Sequence, residues 1–100
     1  MYMISYDIEN TPLRTRIAKT LLRWGLHRVQ YSVFLGTIER EKMPKLWQEL
    51  NHFSNHRTWA AADSILLLPI HRGQVKAIKV LGSWPERWEE ITGERHTLMI

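Results

Sequence analysis

Two runs in this chain, residues 2–8 (YMISYDI) and 64–70 (SILLLPI), carry apolar side chains on successive positions rather than alternate ones. Successive side chains of a strand leave on opposite faces, so these runs describe strands that are apolar on both sides. The second run has the look of a strand in the middle of a sheet. A sheet of that kind has to be covered twice. Only two segments have helical periodicity, and two helices cover one face. The simplest cover for the other face is a second copy of the chain across a two-fold axis.

The first helix is expected from about residue 11 to 24. Asn10-Thr11-Pro12 combines a capping side chain with a proline in the first turn. Leu13, Ile17, Leu21 and Trp24 then recur at helical spacing, and Gly25 supplies the stop. Residues 28–36 (RVQYSVFLG) alternate, with Val29, Tyr31 and Val33 on one face and Arg28, Gln30, Ser32 and Phe34 on the other. A second helix begins near Lys42 or Met43, and Leu46, Trp47, Leu50 and Phe53 form its buried stripe. Residues 51–62 read as a polar connection, His71-Arg72-Gly73 as a turn, and residues 76–81 (KAIKVL) as a further strand. The apolar tail at 97–100 (TLMI) is expected to be paired. This order describes one α+β domain over residues 1–100, with two helices on one face of a sheet.

A chain of 100 residues buries a modest core, and five Trp supply large apolar area to that core or to an interface. Lys and Arg outnumber Asp and Glu by 14 to 10, a formal charge of +4 that suits a polyanionic partner. The absence of Cys excludes a disulfide framework and a thiolate zinc site. The N-terminal residues lack the basic start and apolar run of a signal peptide, and no apolar stretch approaches the ~20 residues of a membrane span. A cytoplasmic protein with no membrane partner is the expectation.

Asp7 is the acid best placed for chemistry, at the end of the first strand and just before a helix N-terminus. A carboxylate there either contributes to a Mg²⁺ site or satisfies backbone amides at the strand–helix turn. One carboxylate makes a poor metal site, whereas two brought together by a dimer axis make a credible one. Arg16, Lys19 and Arg23 cluster on the first helix opposite Ile17, either as a stripe that tracks phosphates or as a solvated face. Arg14 lies beside the apolar stripe, within reach of the strand ends and Asp7. Arg28 and Phe34 share a side if their segment stays extended, where an Arg can hold a phosphate and an aromatic can stack on a base or simply pack. His52 and His56 are four apart, as metal ligands on one helix face would be, but no third ligand accompanies them, and a polar helix C-terminus explains them better.

Taken together, Tyr6-Asp7-Ile8, the basic helix, the run from Trp24 to Phe34 (WGLHRVQYSVF), the run from Asp63 to Ile70 (DSILLLPI) and Val80-Leu81-Gly82 resemble the CRISPR-associated protein 2 family over roughly residues 2–82. The resemblance implies a ferredoxin-like β-α-β-β-α-β fold with an extra C-terminal strand, and a break near Gln30-Tyr31 that splits residues 27–37 into two short strands. It implies a homodimer whose sheets face each other, a partnership with the CRISPR integrase in spacer acquisition, and Mg²⁺-dependent endonuclease activity on single-stranded RNA or double-stranded DNA. Carried onto this chain, the metal ligand is Asp7, paired with Asp7 of the other subunit. Tyr6, Arg14, Arg16, Arg28 and Phe34 take the remaining functional positions. Many relatives place acids a few residues beyond the strand-end Asp, where this chain has Asn10 and Thr11, leaving Glu9 as the nearest extra carboxylate. A non-catalytic adaptor that holds DNA through Arg16, Lys19 and Arg23, and a toxin-type ribonuclease of similar fold, are the alternatives.

Overall fold

The computed structural model describes residues 1–93. Four strands, β1 (Tyr2–Asp7), β2 (His27–Gln30), β3 (Val33–Gly36) and β4 (Ser64–Pro69), form one sheet in the order β2-β3-β1-β4. Each paired neighbour is antiparallel. Two long helices, α1 (Thr11–Arg23) and α2 (Met43–Ser54), complete the β-α-β-β-α-β order, in agreement with the ferredoxin-like expectation. Two short helices follow, α3 (Arg72–Lys76) and α4 (Trp88–Thr92).

The ends of α1 are set by local chemistry. The Asn10 side chain accepts the Leu13 N–H at 2.9 Å, and Pro12 sits in the first turn, where its missing donor costs no hydrogen bond. At the other end Gly25 adopts φ 88°, and the N–H of Leu26 returns to the carbonyl of Leu21 at 3.1 Å. Leu13, Ile17 and Leu21 of α1 then bury against Ile4, Tyr6 and Ile8, with Leu46 and Leu50 of α2 completing the core on this side of the sheet. Trp47, expected in the buried stripe of α2, is exposed instead.

Residues 28–36 do not run as one alternating strand. They turn at Tyr31-Ser32, and the register slips between Arg28 and Gln30. The expected common face for Val29, Tyr31 and Val33 is therefore lost, because Tyr31 leaves the strand at the turn. Arg28 and Phe34 keep their common face by a different route, as direct partners across the hairpin.

Four further expectations are corrected. The strand at 64–69 lies at an edge of the sheet, paired to β1 alone. A run of successive apolar residues reports two apolar faces, which differs from having two paired edges. Residues 72–76 are helical and residues 77–81 irregular, so no strand forms there, and no fifth strand occurs among the described residues. The Gln74 side chain accepts the His71 N–H at 2.9 Å, a helix-start contact that displaces the expected turn. The tail at 97–100 lies outside the described residues. Finally, the second face of the sheet is partly covered by the chain itself. Val75, Trp84 and Trp88 pack there with Leu35 and Ile70, so the two Trp serve this cover.

One acid ties the loops at the functional end together. Asp63 accepts the Glu9 N–H at 3.0 Å through Oδ1 and the Ala60 N–H at 2.8 Å through Oδ2. Its two oxygens therefore fix the β1–α1 turn against the approach to β4. Replacing Asp63 by Ala is expected to lower unfolding stability by about 1–3 kcal/mol, with Asp63→Asn recovering part of the loss through its remaining acceptor. Urea denaturation at a fixed protein concentration checks this, and an unchanged midpoint for Asp63→Ala would contradict it.

Candidate functional site

The pleat of β1 sends Tyr6 into the core and Asp7 to the opposite face. Asp7 is exposed at the strand's last position, beside Ser64 of β4. Among the described residues its carboxylate joins no hydrogen bond or ion pair. The backbone amides of the strand–helix turn are served by Asn10 and Asp63 instead. No group of three or more His, Asp or Glu that could hold a metal occurs among the described residues. The free oxygens of Asp7 suit a hard cation, yet one such carboxylate is a fraction of the oxygen ligands Mg²⁺ takes. By itself the Asp7 carboxylate falls short of a Mg²⁺ site.

A second cluster lies on the helix side of the same end of the sheet. Tyr6, Arg14, Lys19, Arg28 and Tyr31 line a cleft of about 230 Å³. The Arg14 and Arg28 guanidinium carbons stand 5.9 and 5.7 Å from the centre of the Tyr31 ring, which is 71 % exposed. Arg14 donates to the Ile8 carbonyl at 2.9 Å and to the Thr11 hydroxyl at 2.8 Å, so it does reach the strand end, where it meets a carbonyl and not Asp7. Arg28 stands over the Phe34 ring at 5.1 Å and lies 3.5 Å from the Tyr6 hydroxyl. Two cations held against aromatic faces lose little entropy on gripping a phosphate, and an exposed ring can stack on a base.

Tyr6 and Phe34 contribute differently. They are 4 % and 0 % exposed and stack with ring centroids 6.1 Å apart, so they form the floor beneath Arg28. Tyr31 is the residue that sequence reasoning assigned to a strand face without a functional role. The resemblance placed the break beside Tyr31, and the structure sets its exposed ring in that turn, between Arg14 and Arg28.

Arg16, Lys19 and Arg23 occupy a third surface. They line a groove of about 440 Å³ between α1 and α2, together with Glu49, His52, Phe53 and His56. Arg23 is bound to Glu49 at 2.8 Å, and Trp24 Nε1 donates to the same oxygen at 3.2 Å. Arg16 stands over the Phe53 ring at 5.6 Å. Arg14 and Arg16, two residues apart on α1, thus serve different clefts. The structure groups Arg14 with Arg28 and Arg16 with Lys19, and leaves Asp7 across the sheet from both groups.

The family model described as CRISPR associated protein Cas2 matches residues 1–78. Among curated relatives, a protein of Archaeoglobus fulgidus named CRISPR-associated endoribonuclease Cas2 1 is 31 % identical over 70 residues, covering 70 % of each chain. One of Chloroflexus aurantiacus, named CRISPR-associated endoribonuclease Cas2 2, is 40 % identical over 48 residues, which are 48 % of this chain and only 56 % of that relative. A crystal structure of Streptococcus pyogenes Cas2 shares the fold, with TM-score 0.65 and 23 % identity over 81 % of this chain and 98 % of that one.

The burial of Phe34 separates a structural from a chemical role. Phe34→Ala is expected to lose about 3–5 kcal/mol of stability, a large share of what a domain of this size has. Thermal unfolding followed by circular dichroism measures this, and a variant as stable as the wild type would contradict the assignment.

Proposed function

This chain belongs to the Cas2 family of CRISPR-associated proteins, and from that premise we propose that it is a metal-dependent endonuclease acting on nucleic acid as a homodimer. The observation that carries the reading is the Asp7 carboxylate, exposed at the end of β1 and without a partner among the described residues. A second subunit would bring a second Asp7, and two like charges close together call for a cation between them. Bound there, Mg²⁺ would supply polarisation of a phosphodiester and an activated water.

The dimer contact is supported by the face that Asp7 shares. Leu66 and Leu68 of β4 project from it and are 66 % and 51 % exposed, beyond the part that α3 and α4 cover. Exposed apolar side chains next to one another favour a protein partner. Arg14 and Arg28 would hold the nucleic-acid backbone, and Tyr31 would stack on an unpaired base. The names of the relatives as endoribonucleases favour RNA as a substrate, with double-stranded DNA the other class. The physiological setting of this reading is spacer acquisition, in company with the CRISPR integrase.

A second reading rests on a specific observation. The Arg14–Arg28 cluster and the Asp7 carboxylate lie on opposite faces of the sheet, and the groove of Arg16, Lys19 and Arg23 lies between the two helices on the face away from Asp7. Such a distribution suits a scaffold that holds a duplex by its phosphates while another subunit performs chemistry.

Asp7→Asn decides between them. It is expected to lower Mg²⁺-dependent cleavage of RNA or duplex DNA by at least about a hundredfold while leaving the affinity measured in EDTA unchanged. Equal metal-dependent cleavage by the variant and the wild type would remove Asp7 from the reaction.

A further inference from the structure

We propose that the Arg14–Arg28 cleft is a slot for one unpaired nucleobase, in which Leu22 and Tyr31 contact the base itself and not its phosphate. The inference rests on the proposed function only in taking nucleic acid as the ligand, and it requires neither cleavage nor Asp7. The reasoning begins at Leu22. The buried stripe of α1 is Leu13, Ile17 and Leu21, and Leu22 lies about 100° round the helix from Leu21. Leu22 is 51 % exposed and belongs to neither apolar cluster of the described residues. The fold leaves half of this side chain without cover.

The uncovered leucine is set among cations. Arg14, Ala18 and Leu22 follow one another at four-residue spacing along α1, so they form a single row on the helix surface. Lys19 of the same helix, with Arg28 and Tyr31 of the hairpin, lines the cleft beside that row. No Asp or Glu lines it, so three cations share the cleft with an exposed Leu and an exposed ring.

That combination selects among ligands. A phosphate alone would satisfy the cations and leave Leu22 and the Tyr31 ring bare. An uncharged apolar group would cover the leucine and leave the cations unpaired. A nucleotide carries both parts, an anionic phosphate and a flat apolar face, one sugar apart. Its base can stack on the Tyr31 ring or on a guanidinium plane and cover Leu22, while the phosphate meets the remaining cations. Within a duplex each base face is covered by its stacked neighbours, so only an unpaired nucleotide can offer one. A cleft of about 230 Å³ has room for a single base.

The test separates base from phosphate. Binding would be measured in EDTA by fluorescence anisotropy with two probes, a short single strand and an abasic strand of the same length. The abasic strand carries the same phosphates and no bases. The wild type is expected to prefer the base-bearing strand by roughly tenfold. Tyr31→Ala should remove most of that preference, Tyr31→Phe should keep it, and Leu22→Gln should cut it about threefold. Both side chains are exposed, so the thermal midpoints of the variants should match the wild type. Equal affinity of the wild type for the two strands, or a full preference in either Tyr31→Ala or Leu22→Gln, would overturn the slot and leave phosphate-based binding standing. Binding of neither strand would overturn the slot together with the nucleic-acid reading. Binding of an acidic, phenylalanine-containing peptide in their place would assign the apolar wall to a protein partner.

Discussion

Strand β1 is paired along both edges, to β3 and to β4, and its pleat sets the position of the chemical groups around it. Ile4 and Tyr6 enter the core while Ser5 and Asp7 face the other way. A slip of one residue would turn Ile4 and Tyr6 out of the core beneath the helices and carry the Asp7 carboxylate inward, where an unpaired charge costs several kcal/mol or more. The register is thus held by burial on one face and by charge on the other. That single alternation is why the Tyr6–Phe34 floor with Arg28 above it, and the Asp7 carboxylate, occur at one end of the sheet but on opposite sides.

The basic surface is likewise divided by geometry. On α1, Arg14 lies close enough to the buried stripe to fold back onto the Ile8 carbonyl, whereas Arg16, farther round the helix, turns to α2. Lys19 lies between the two clefts. Of the charges expected to track phosphates, Arg23 is offset by Glu49, which leaves Arg16 and Lys19 as the two without a carboxylate partner among the described residues. A formal net charge of +4 is spread over several surfaces, and pairing decides which of them can meet an anion.

Much of the fold was legible because its signals are local. Asn10, Pro12 and Gly25 bound α1, and each acts within a few residues of itself. What was not legible depends on partners distant in sequence. The run at 64–70 shows two apolar faces, but only the sheet order reveals an unpaired edge. Residues 76–81 have strand-like composition, yet His71 and Gln74 start a helix just before them, and the segment packs Val75 and Ile78 onto the sheet's second face. Asp7 was singled out from its place before a helix, and Arg28 and Phe34 from their spacing; the structure sets Asp7 exposed at the end of β1 and pairs Arg28 with Phe34. The role of Asp63 and the exposure of Tyr31 between two Arg require the loop and hairpin to be in place.

A metal site shared between two Asp7 side chains has a kinetic signature that one subunit alone cannot imitate. Wild-type and Asp7→Asn subunits would be mixed in varied proportion, allowed to exchange, and assayed for Mg²⁺-dependent cleavage at constant total protein. If each site needs both carboxylates, mixed dimers are inactive and activity falls as the square of the wild-type fraction, to roughly a quarter at equal proportions. A linear fall, to roughly half at the same point, would show that each subunit cleaves with its own Asp7 and would contradict the shared site.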